Sequence, residues 1–266
     1  MRASLVLGSA LLAATVASVS ALARATPQRF GGATNDQRPA GPEIDVQGNT
    51  PYDGRFVFIR LRYQTGWGRY GRQGPPWSHD YPRGEVHFTR ILKDVTALNP
   101  RLDGSNILSL DDPELFKYPI AYMCEPGFWT MTQKEAENFR AYLQKGGFVI
   151  FDDFRGPHWD NLQAQMQLVL PGARWVSLDD GTHPIWHSFF EIPKPLALDA
   201  PYGGLPPSYW GIYENNDPTR RLIAIANVNN DISEYWEWSG TGYAPVNIDN
   251  EAYKYGINYV IYAYTH

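Results

Sequence analysis

The chain has 266 residues, of which 43% are hydrophobic, and a formal net charge of −5 at pH 7. This length and apolar content suffice for one large domain with a full core, and they exclude a chain that is disordered throughout. The mild acidity and the lack of a long run of Lys or Arg argue against nucleic acid as a partner, because phosphate binding requires concentrated positive charge.

The N-terminus is typical of a secretory signal. Arg2 supplies a positive charge, residues 5–19 are apolar, and residues 21–23 form an Ala-x-Ala cleavage motif. We therefore expect residues 1–23 to be a signal peptide and the mature protein to be periplasmic or secreted from a bacterium, with no transmembrane segment after cleavage. An uncleaved anchor is the alternative. Cys124 is the single cysteine, so stability would come from packing without internal disulfides.

Residues 24–54 are rich in Gly, Pro, Asn and Gln and are predicted to form an extended linker or arm. A single domain is expected to occupy residues 55–266. Its first predicted strand is 56–63 (FVFIRLRY), and a long loop with many Gly, Pro, Trp and Tyr residues follows at 64–82. Loops of this length inside compact domains usually have a function.

Predicted strands and helices alternate along the rest of the chain. The strands are expected at 106–110, 119–124, 148–151, 173–178 and 221–228, and the helices at 86–98, 132–145 and 160–170. Residues 179–207 carry several prolines and are interpreted as loops and short strands. The segment 249–264 suits a helix by its apolar spacing and a strand by its β-branched and aromatic residues, and we choose a C-terminal helix. This alternation predicts an α/β fold of three layers, with an open, mostly parallel sheet and helices on both faces.

The most informative segment is KGGFVIFDDFR, residues 145–155, because an apolar strand ends there in two adjacent carboxylates. Ligands bind at the carboxyl ends of the strands in such sheets. Asp152 adjoins four apolar residues and needs a partner such as Arg155 or His183, whereas Asp153 has an alternative role as a helix cap. Asp152, Asp153 and His183 are therefore our candidate catalytic residues.

His183 could be a general base, a metal ligand or a loop residue that forms hydrogen bonds, because Pro184 holds its backbone extended. His187 follows at the i,i+4 spacing, but the intervening proline disfavours a helical metal pair, and we predict no metal site. Cys124 is expected to be a buried, inert thiol, because no glycine-flanked elbow surrounds it.

Further side chains are expected near the same edge of the sheet. The candidate ligand-binding residues are Tyr63, Trp67, Arg155, Asn230 and Asp231. Nine Trp and 17 Tyr exceed the needs of a core, and exposed aromatic rings serve sugar or peptide stacking, although they could also pack irregular loops. The expected partners are a saccharide, a peptide or a cell-envelope protein, and the sequence identifies no cofactor.

Several short motifs occur in a specific order. They are Tyr118-Pro119 before a strand, Thr132-x-x-Glu135, Tyr142-Leu143, Gly146-Gly147, Asp152-Asp153, His183-Pro184-Ile185, Asn230-Asp231 and Gly256-Ile257-Asn258. In this order the chain resembles the bacterial family called domain of unknown function 4159, over about residues 55–265. The resemblance implies a class I glutamine amidotransferase-like fold, which has a flavodoxin-like sheet.

The chain departs from true amidotransferases at one turn. In those enzymes a cysteine follows the strand that reads FVIF here, whereas this turn holds Asp152, Asp153 and Phe154. A carboxylate cannot form the glutamyl thioester, so we do not expect ammonia transfer from glutamine. We favour a non-catalytic binding module that uses the carboxyl edge of the sheet, because spacing alone establishes no nucleophile or metal set. The alternative is a periplasmic hydrolase that uses Asp152 or Asp153 with His183, with or without a bound metal.

Overall fold

The computed structural model describes residues 48–65, 74–201 and 203–266. The predicted signal peptide, most of the predicted linker and Trp67 lie outside the described residues. Among the residues described, no helix has the length and apolar character needed to cross a membrane.

Nine strands occur in the described residues. In chain order they are β1 (Ile59–Arg62), β2 (Gln64–Thr65), β3 (Asn106–Ser109), β4 (Ile120–Cys124), β5 (Trp129–Thr130), β6 (Phe148–Phe154), β7 (Trp175–Ser177), β8 (Ser208–Tyr213) and β9 (Leu222–Val228). Seven of them form one sheet in the order β3-β1-β4-β6-β9-β8-β7, and β2 pairs with β5 separately. The strands from β3 to β9 in this order are parallel, whereas β8 is antiparallel to β9 and to β7. The prediction of an α/β fold with a mostly parallel sheet is confirmed.

Helices cover both faces of the sheet. They are α1 (Arg83–Val95), α2 (Gln133–Gln144), α3 (His158–Val169), α4 (Ile232–Trp238) and α5 (Val246–Thr265). One core lies under α1, α4 and α5, and a second lies under α2 and α3. Successive residues of β4 and β6 point into alternate cores, with Tyr122 and Ile150 in the first and Met123 and Phe151 in the second. This two-sided burial explains why both strands are almost continuously apolar.

Several local predictions are confirmed. Thr132 and Glu135 form the predicted capping box at the start of α2, with the Thr132 N–H donating to Glu135 Oε2 over 2.7 Å. The ambiguous C-terminal segment is helical, and its buried tyrosines face the sheet core. The strand β6 is longer than expected, because it continues through Asp152 and Asp153 to Phe154.

The edge strand β3 is closed by the chain that precedes the domain. The side-chain amide of Asn49 donates to the Ile107 carbonyl and accepts from the Ile107 N–H, both over 2.8 Å. The Thr50 N–H donates to Asn106 Oδ1 over 2.9 Å. Side-chain amides thus take the place of a neighbouring strand at this edge.

Candidate functional site

The carboxyl ends of β4, β6 and β9 lie side by side and carry unusual backbone conformations. Cys124 at the end of β4 is in register with Asp152, and the pairing of β6 with β9 shifts between Phe151 and Phe154. Positive φ angles occur at Asp80 (64°), Glu125 (46°), Asp153 (56°) and Asn229 (57°). Such angles are uncommon in residues other than glycine and concentrate at functional sites. The backbone therefore marks this edge as a candidate site.

Asp152 is completely buried and is saturated with hydrogen-bond donors. Its carboxylate accepts from the Tyr122 hydroxyl (3.1 Å), the Asn227 amide (2.9 Å) and the backbone N–H groups of Ile232 and Ser233 (3.0 to 3.2 Å). Burial raises the pKa of Asp152 to about 6, although the bonds from Asn227, Ile232 and Ser233 oppose the rise. Asp152 thus joins the end of β6 to the beginning of α4.

Asp153 faces the imidazole of His79, which lies in the loop before α1. His79 Nδ1 is 2.7 Å from Asp153 Oδ2 and 3.6 Å from Asp80 Oδ1. The hydrogen bond to Asp153 is the main reason that the pKa of His79 rises to about 10. The His79 side chain is 31% exposed. The pair is therefore an imidazolium and a carboxylate that solvent reaches from one side.

Two buried carboxylates beside this pair have an oxygen without a partner. Ser233 Oγ donates to Asp80 Oδ2, and the Glu234 N–H donates to Asp231 Oδ1 over 2.9 Å. Asp80 Oδ1 and Asp231 Oδ2 are buried and have no hydrogen-bond partner in the described part of the chain. Burial raises the pKa of both carboxyl groups. Within the described residues, Asp80 Oδ1 therefore has the His79 imidazolium 3.6 Å away but no hydrogen bond, and Asp231 Oδ2 has no hydrogen bond either.

Three half-buried glutamates lie around the same cluster. Burial is the main cause that raises the pKa of Glu125 to about 8 and that of Glu237 to about 7, and it also raises the pKa of Glu234. Neighbouring carboxylates contribute to each of these shifts. The region around His79, Asp80, Asp153, Asp231 and these glutamates, called the cleft below, is therefore strongly acidic, with several groups whose pKa is raised.

A buried arginine fixes the loop that carries His79. Arg60 on β1 forms an ion pair with Glu85 of α1, and its Nη1 donates to the carbonyls of Trp77 (3.0 Å) and His79 (2.8 Å). Both charged side chains are buried. Because the guanidinium has several donors in a fixed plane, it can satisfy the carboxylate and both carbonyls at once. Arg60 therefore sets the position of the His79 backbone.

The predicted ligand-binding residues are distributed unevenly. Asp231 lies in the cluster, whereas the Asn230 amide is buried and donates to the Leu198 carbonyl and the Tyr209 hydroxyl. The Tyr63 hydroxyl is bound to the carbonyls of Cys124 (2.8 Å) and Glu125 (2.6 Å). Arg155 is exposed just beyond β6. Tyr63 and Asn230 therefore support the backbone of the site and do not face its cleft.

His183 is not brought to the two aspartates. Its ring contacts Tyr213 and Tyr262, with centroids 5.5 and 5.4 Å apart. Tyr213 pairs with Leu222, the first residue of β9, which is at the amino end of the parallel strands. Since β9 is about 20 Å long at 3.3 Å per residue, His183 lies at the opposite edge of the sheet from Asp152. The expectation failed because the chain turns back after Asp179, which accepts from the Tyr209 N–H, and reaches the level of Tyr213 at His183.

The residues of the candidate site that sequence reasoning missed are His79, Asp80, Ser233, Glu234 and Glu237. His79 and Asp80 fall in the loop that was singled out for its aromatic residues, so the pair of titratable side chains inside it was the available signal.

Three overlapping groups of side chains could hold a metal ion. They are His79, Asp80, Cys124 and Asp153; His79, Asp231 and Glu234; and Asp80, Glu234 and Glu237.

Comparison with known families covers nearly the whole described domain. A family model described as domain of unknown function (DUF4159) matches residues 57–264. The matched region runs from the residues just before β1 almost to the end of α5. A search of curated proteins finds none with significant similarity. The resemblance inferred from the ordered motifs is thereby confirmed.

Proposed function

The chain belongs to the DUF4159 family, and we propose that it is a ligand-binding protein whose carboxyl-edge cleft takes a positively charged ligand. The observation that carries this proposal is the pair of buried, unpartnered oxygens, Asp80 Oδ1 and Asp231 Oδ2. A buried carboxylate oxygen that loses water without gaining a partner is unfavourable. A cation bound beside either oxygen would supply the missing interaction there.

Two of the aromatic residues at this edge are unavailable for stacking on a sugar. Tyr63 and Tyr122 are buried, and their hydroxyls are engaged in hydrogen bonds. Their rings therefore offer no exposed face for a sugar. The ring of Tyr243, which bonds to Glu234, is exposed, so the preference for a cationic ligand comes from the acidic side chains. Among the saccharide, peptide or protein partners expected from the sequence, these side chains favour those that present a cationic group, together with free cations.

The same region supports a class I glutamine amidotransferase-like fold without amidotransferase activity. Asp153, with φ of 56°, lies in the bend where such enzymes carry their cysteine. Cys124 is inaccessible at the end of the preceding parallel strand, and burial raises the pKa of its thiol well above the usual value. The prediction of an exported protein with a cleaved signal at residues 1–23 belongs to the same proposal.

A thermal-shift screen tests the binding proposal. The ligands are divalent cations, aliphatic diamines and amino sugars, with N-acetylated sugars as neutral controls. We expect cations to raise the melting temperature of the wild type and to lose this effect in the double variant Asp80→Asn/Asp231→Asn. Asp249→Asn is the matched control, because Asp249 is also buried with an unpartnered oxygen but lies outside the cluster. Equal stabilisation by the neutral sugars would contradict the proposal. The absence of stabilisation by every ligand tested would also contradict it.

A hydrolase is the second candidate, and the contact between His79 and Asp153 favours it. A carboxylate in a strained bend, 2.7 Å from an imidazolium, could act as nucleophile or base while His79 gives its proton to the leaving group. The test is a screen of ester, glycoside and phosphate substrates. Any hydrolysis should be lost in Asp153→Asn and His79→Gln and retained in His183→Asn, which changes a histidine at the opposite edge.

A further inference from the structure

One group of side chains in the cleft combines nitrogen, oxygen and sulfur donors. His79, Asp80, Cys124 and Asp153 each offer a ligand atom, and these atoms lie within 4.8 Å of one another. We propose that these four side chains bind one divalent transition metal ion of the zinc class. The inference rests on the proposed function, because it identifies the positively charged ligand of the same cleft.

The orientation of Asp80 is independent support for an ion at this point. Its side chain is 0% exposed, and Ser233 holds Oδ2, so that Oδ1 is left towards His79 at 3.6 Å from Nδ1. Within the described residues, Oδ1 has no hydrogen-bond partner. Metal ligands are commonly oriented in this way by a hydrogen bond to their other atom. Arg60 fixes the His79 backbone from behind.

Three of the distances between donor atoms are close to those around a small tetrahedral ion, and all of them are within 4.8 Å. Ligand atoms around zinc lie about 3.4 Å apart when the metal–ligand bonds are about 2.1 Å. In this site His79 Nδ1 is 2.7 Å from Asp153 Oδ2 and 3.6 Å from Asp80 Oδ1, and Cys124 Sγ is 3.5 Å from Asp153 Oδ2. Shifts of less than an ångström in these pairs would bring them to the required spacing.

Binding would replace protons by the ion. The proton shared by His79 Nδ1 and Asp153 Oδ2 occupies the place of the metal, and it leaves to solvent together with the thiol proton of Cys124. No electrons are transferred, so no oxidant or reductant is needed. The partly exposed side of His79 provides the entry for the ion.

The types of donor atom indicate which metal binds and which of the three groups of side chains binds it. Nitrogen and sulfur donors favour zinc and its neighbours over magnesium and calcium, which prefer oxygen ligands only. The second group shares His79 with the first and the third shares Asp80 with it, but both contain no sulfur and have more members that are partly exposed. The group with Cys124 is therefore the one that we assign.

The experiment uses the full chain after removal of metals with a chelator. Zinc content is measured by elemental analysis after reconstitution, and cobalt is used as a spectroscopic probe. We expect about one ion per chain and a thiolate-to-cobalt charge-transfer band, since Cys124 would be a ligand. The band should disappear in Cys124→Ser, and Asp80→Asn should weaken zinc binding by about 100-fold or more, whereas Asp249→Asn should not change it.

Failure has distinct forms. A folded wild-type protein that takes up neither zinc nor cobalt overturns the metal site, and this measurement does not depend on the folding of any variant. Uptake without a thiolate band overturns the four-ligand assignment. If diamines or amino sugars still stabilise the protein through Asp231 while zinc does not bind, the metal inference fails and the proposed function stands. If no cation binds at all, both fail.

Discussion

Asp152 and Asp153 are neighbours in sequence, but their carboxylates have different surroundings. Asp152 accepts hydrogen bonds at both oxygens from two side chains and two backbone N–H groups. Asp153, after the backbone turns to positive φ, faces His79 and the thiol of Cys124. Asp152 therefore has a structural role, because it joins β6 to the start of α4, and Asp153 faces the cleft.

This difference predicts that Asp152→Asn lowers the free energy of unfolding by about 3 kcal/mol. Either orientation of the new amide would direct its NH2 group at N–H donors that now point to a carboxylate oxygen. Urea unfolding followed by circular dichroism measures the change. Asp153→Asn is the comparison and should be clearly less destabilising, and equal effects of the two variants would refute the assignment.

His183 predicts a dependence of stability on pH that is unrelated to the cleft. Burial is the main cause that lowers its pKa to about 4, and its Nδ1 accepts the Ile185 N–H over 3.1 Å, which requires the neutral ring. The unfolded chain, with an ordinary histidine pKa near 6.5, binds more protons in this range. The stabilising contribution is therefore complete above about pH 6.5 and is lost as the pH falls towards 4.

The matched variant is His183→Asn, which keeps an acceptor for Ile185 but does not titrate. Melting temperatures are measured between pH 4 and 7. The melting temperature of the wild type, minus that of the variant, should become smaller as the pH falls from 7 to 4. A constant difference would show that His183 is not responsible.

At the residue scale, the sequence indicated three carboxylates of the site, Asp152, Asp153 and Asp231, but not what they contact. Asp152 was expected to need a partner, and the partners are Tyr122, Asn227 and the start of α4, which are distant in sequence. Likewise, the link between Arg60 and the His79 carbonyl joins a strand to a loop. Local patterns carry no information on such contacts, because they depend on how the elements pack.

At the scale of elements, long periodic segments were predictable and short ones were not. The helix α2 was recognised from its capping box and apolar stripe. The seven-residue helix α4 (ISEYWEW) and the strand β8 (SYWGIY) were missed. In α4 fewer than two full turns are available to show a period, and Gly211 interrupts β8, where it allows close contact with Leu222. Since α4 supplies Ser233, Glu234 and Glu237, missing it meant missing part of the site.

The helix α5 offers a test in which two effects oppose each other. Alanine is favoured over glycine in a helix by about 1 kcal/mol. A Cβ at Gly256, however, would lie 2.5 Å from ring atoms of both Phe88 and Trp236, which are buried and cannot retreat. Overpacking of this kind usually costs about 1–3 kcal/mol. We therefore expect Gly256→Ala to lower the free energy of unfolding by up to about 2 kcal/mol.

The control for this prediction is Asn250→Ala on the exposed side of the same helix. It tests helix propensity alone and should be neutral or slightly stabilising. Both variants are measured by chemical denaturation. A stabilised Gly256→Ala protein would show that the contact with Phe88 and Trp236 is looser than described.

At the scale of the whole molecule, the alternation of strands and helices was enough to predict a mostly parallel α/β sheet. It was not enough to predict which edge each loop reaches, because a long loop such as 179–207 can cross a face. The same uncertainty explains why His79, and not His183, meets the aspartates. The positions of the strand ends predict that the site lies at the carboxyl ends of the parallel strands. The loops determine which side chains form it.

The edges of the sheet predict the association behaviour of the molecule. β7 is a three-residue edge strand, and the other edge, β3, is covered by the amide of Asn49. Asn49→Ala should uncover the Ile107 N–H and carbonyl, lower stability by about 1 kcal/mol and increase self-association. Light scattering during size-exclusion chromatography measures the latter. Asn49→Asp, which keeps the acceptor but not the donor, should be intermediate, and a monomeric Asn49→Ala protein at high concentration would contradict the argument.

The left-handed backbone conformations of Asp80, Glu125, Asp153 and Asn229 imply a conflict between the stability of the fold and the function of these side chains. Each is a position where exchange to glycine would relieve the backbone. Laboratory evolution that rewards heat resistance alone should accumulate glycines there, and the surviving lineages would keep the sheet while their acidic cleft became inert.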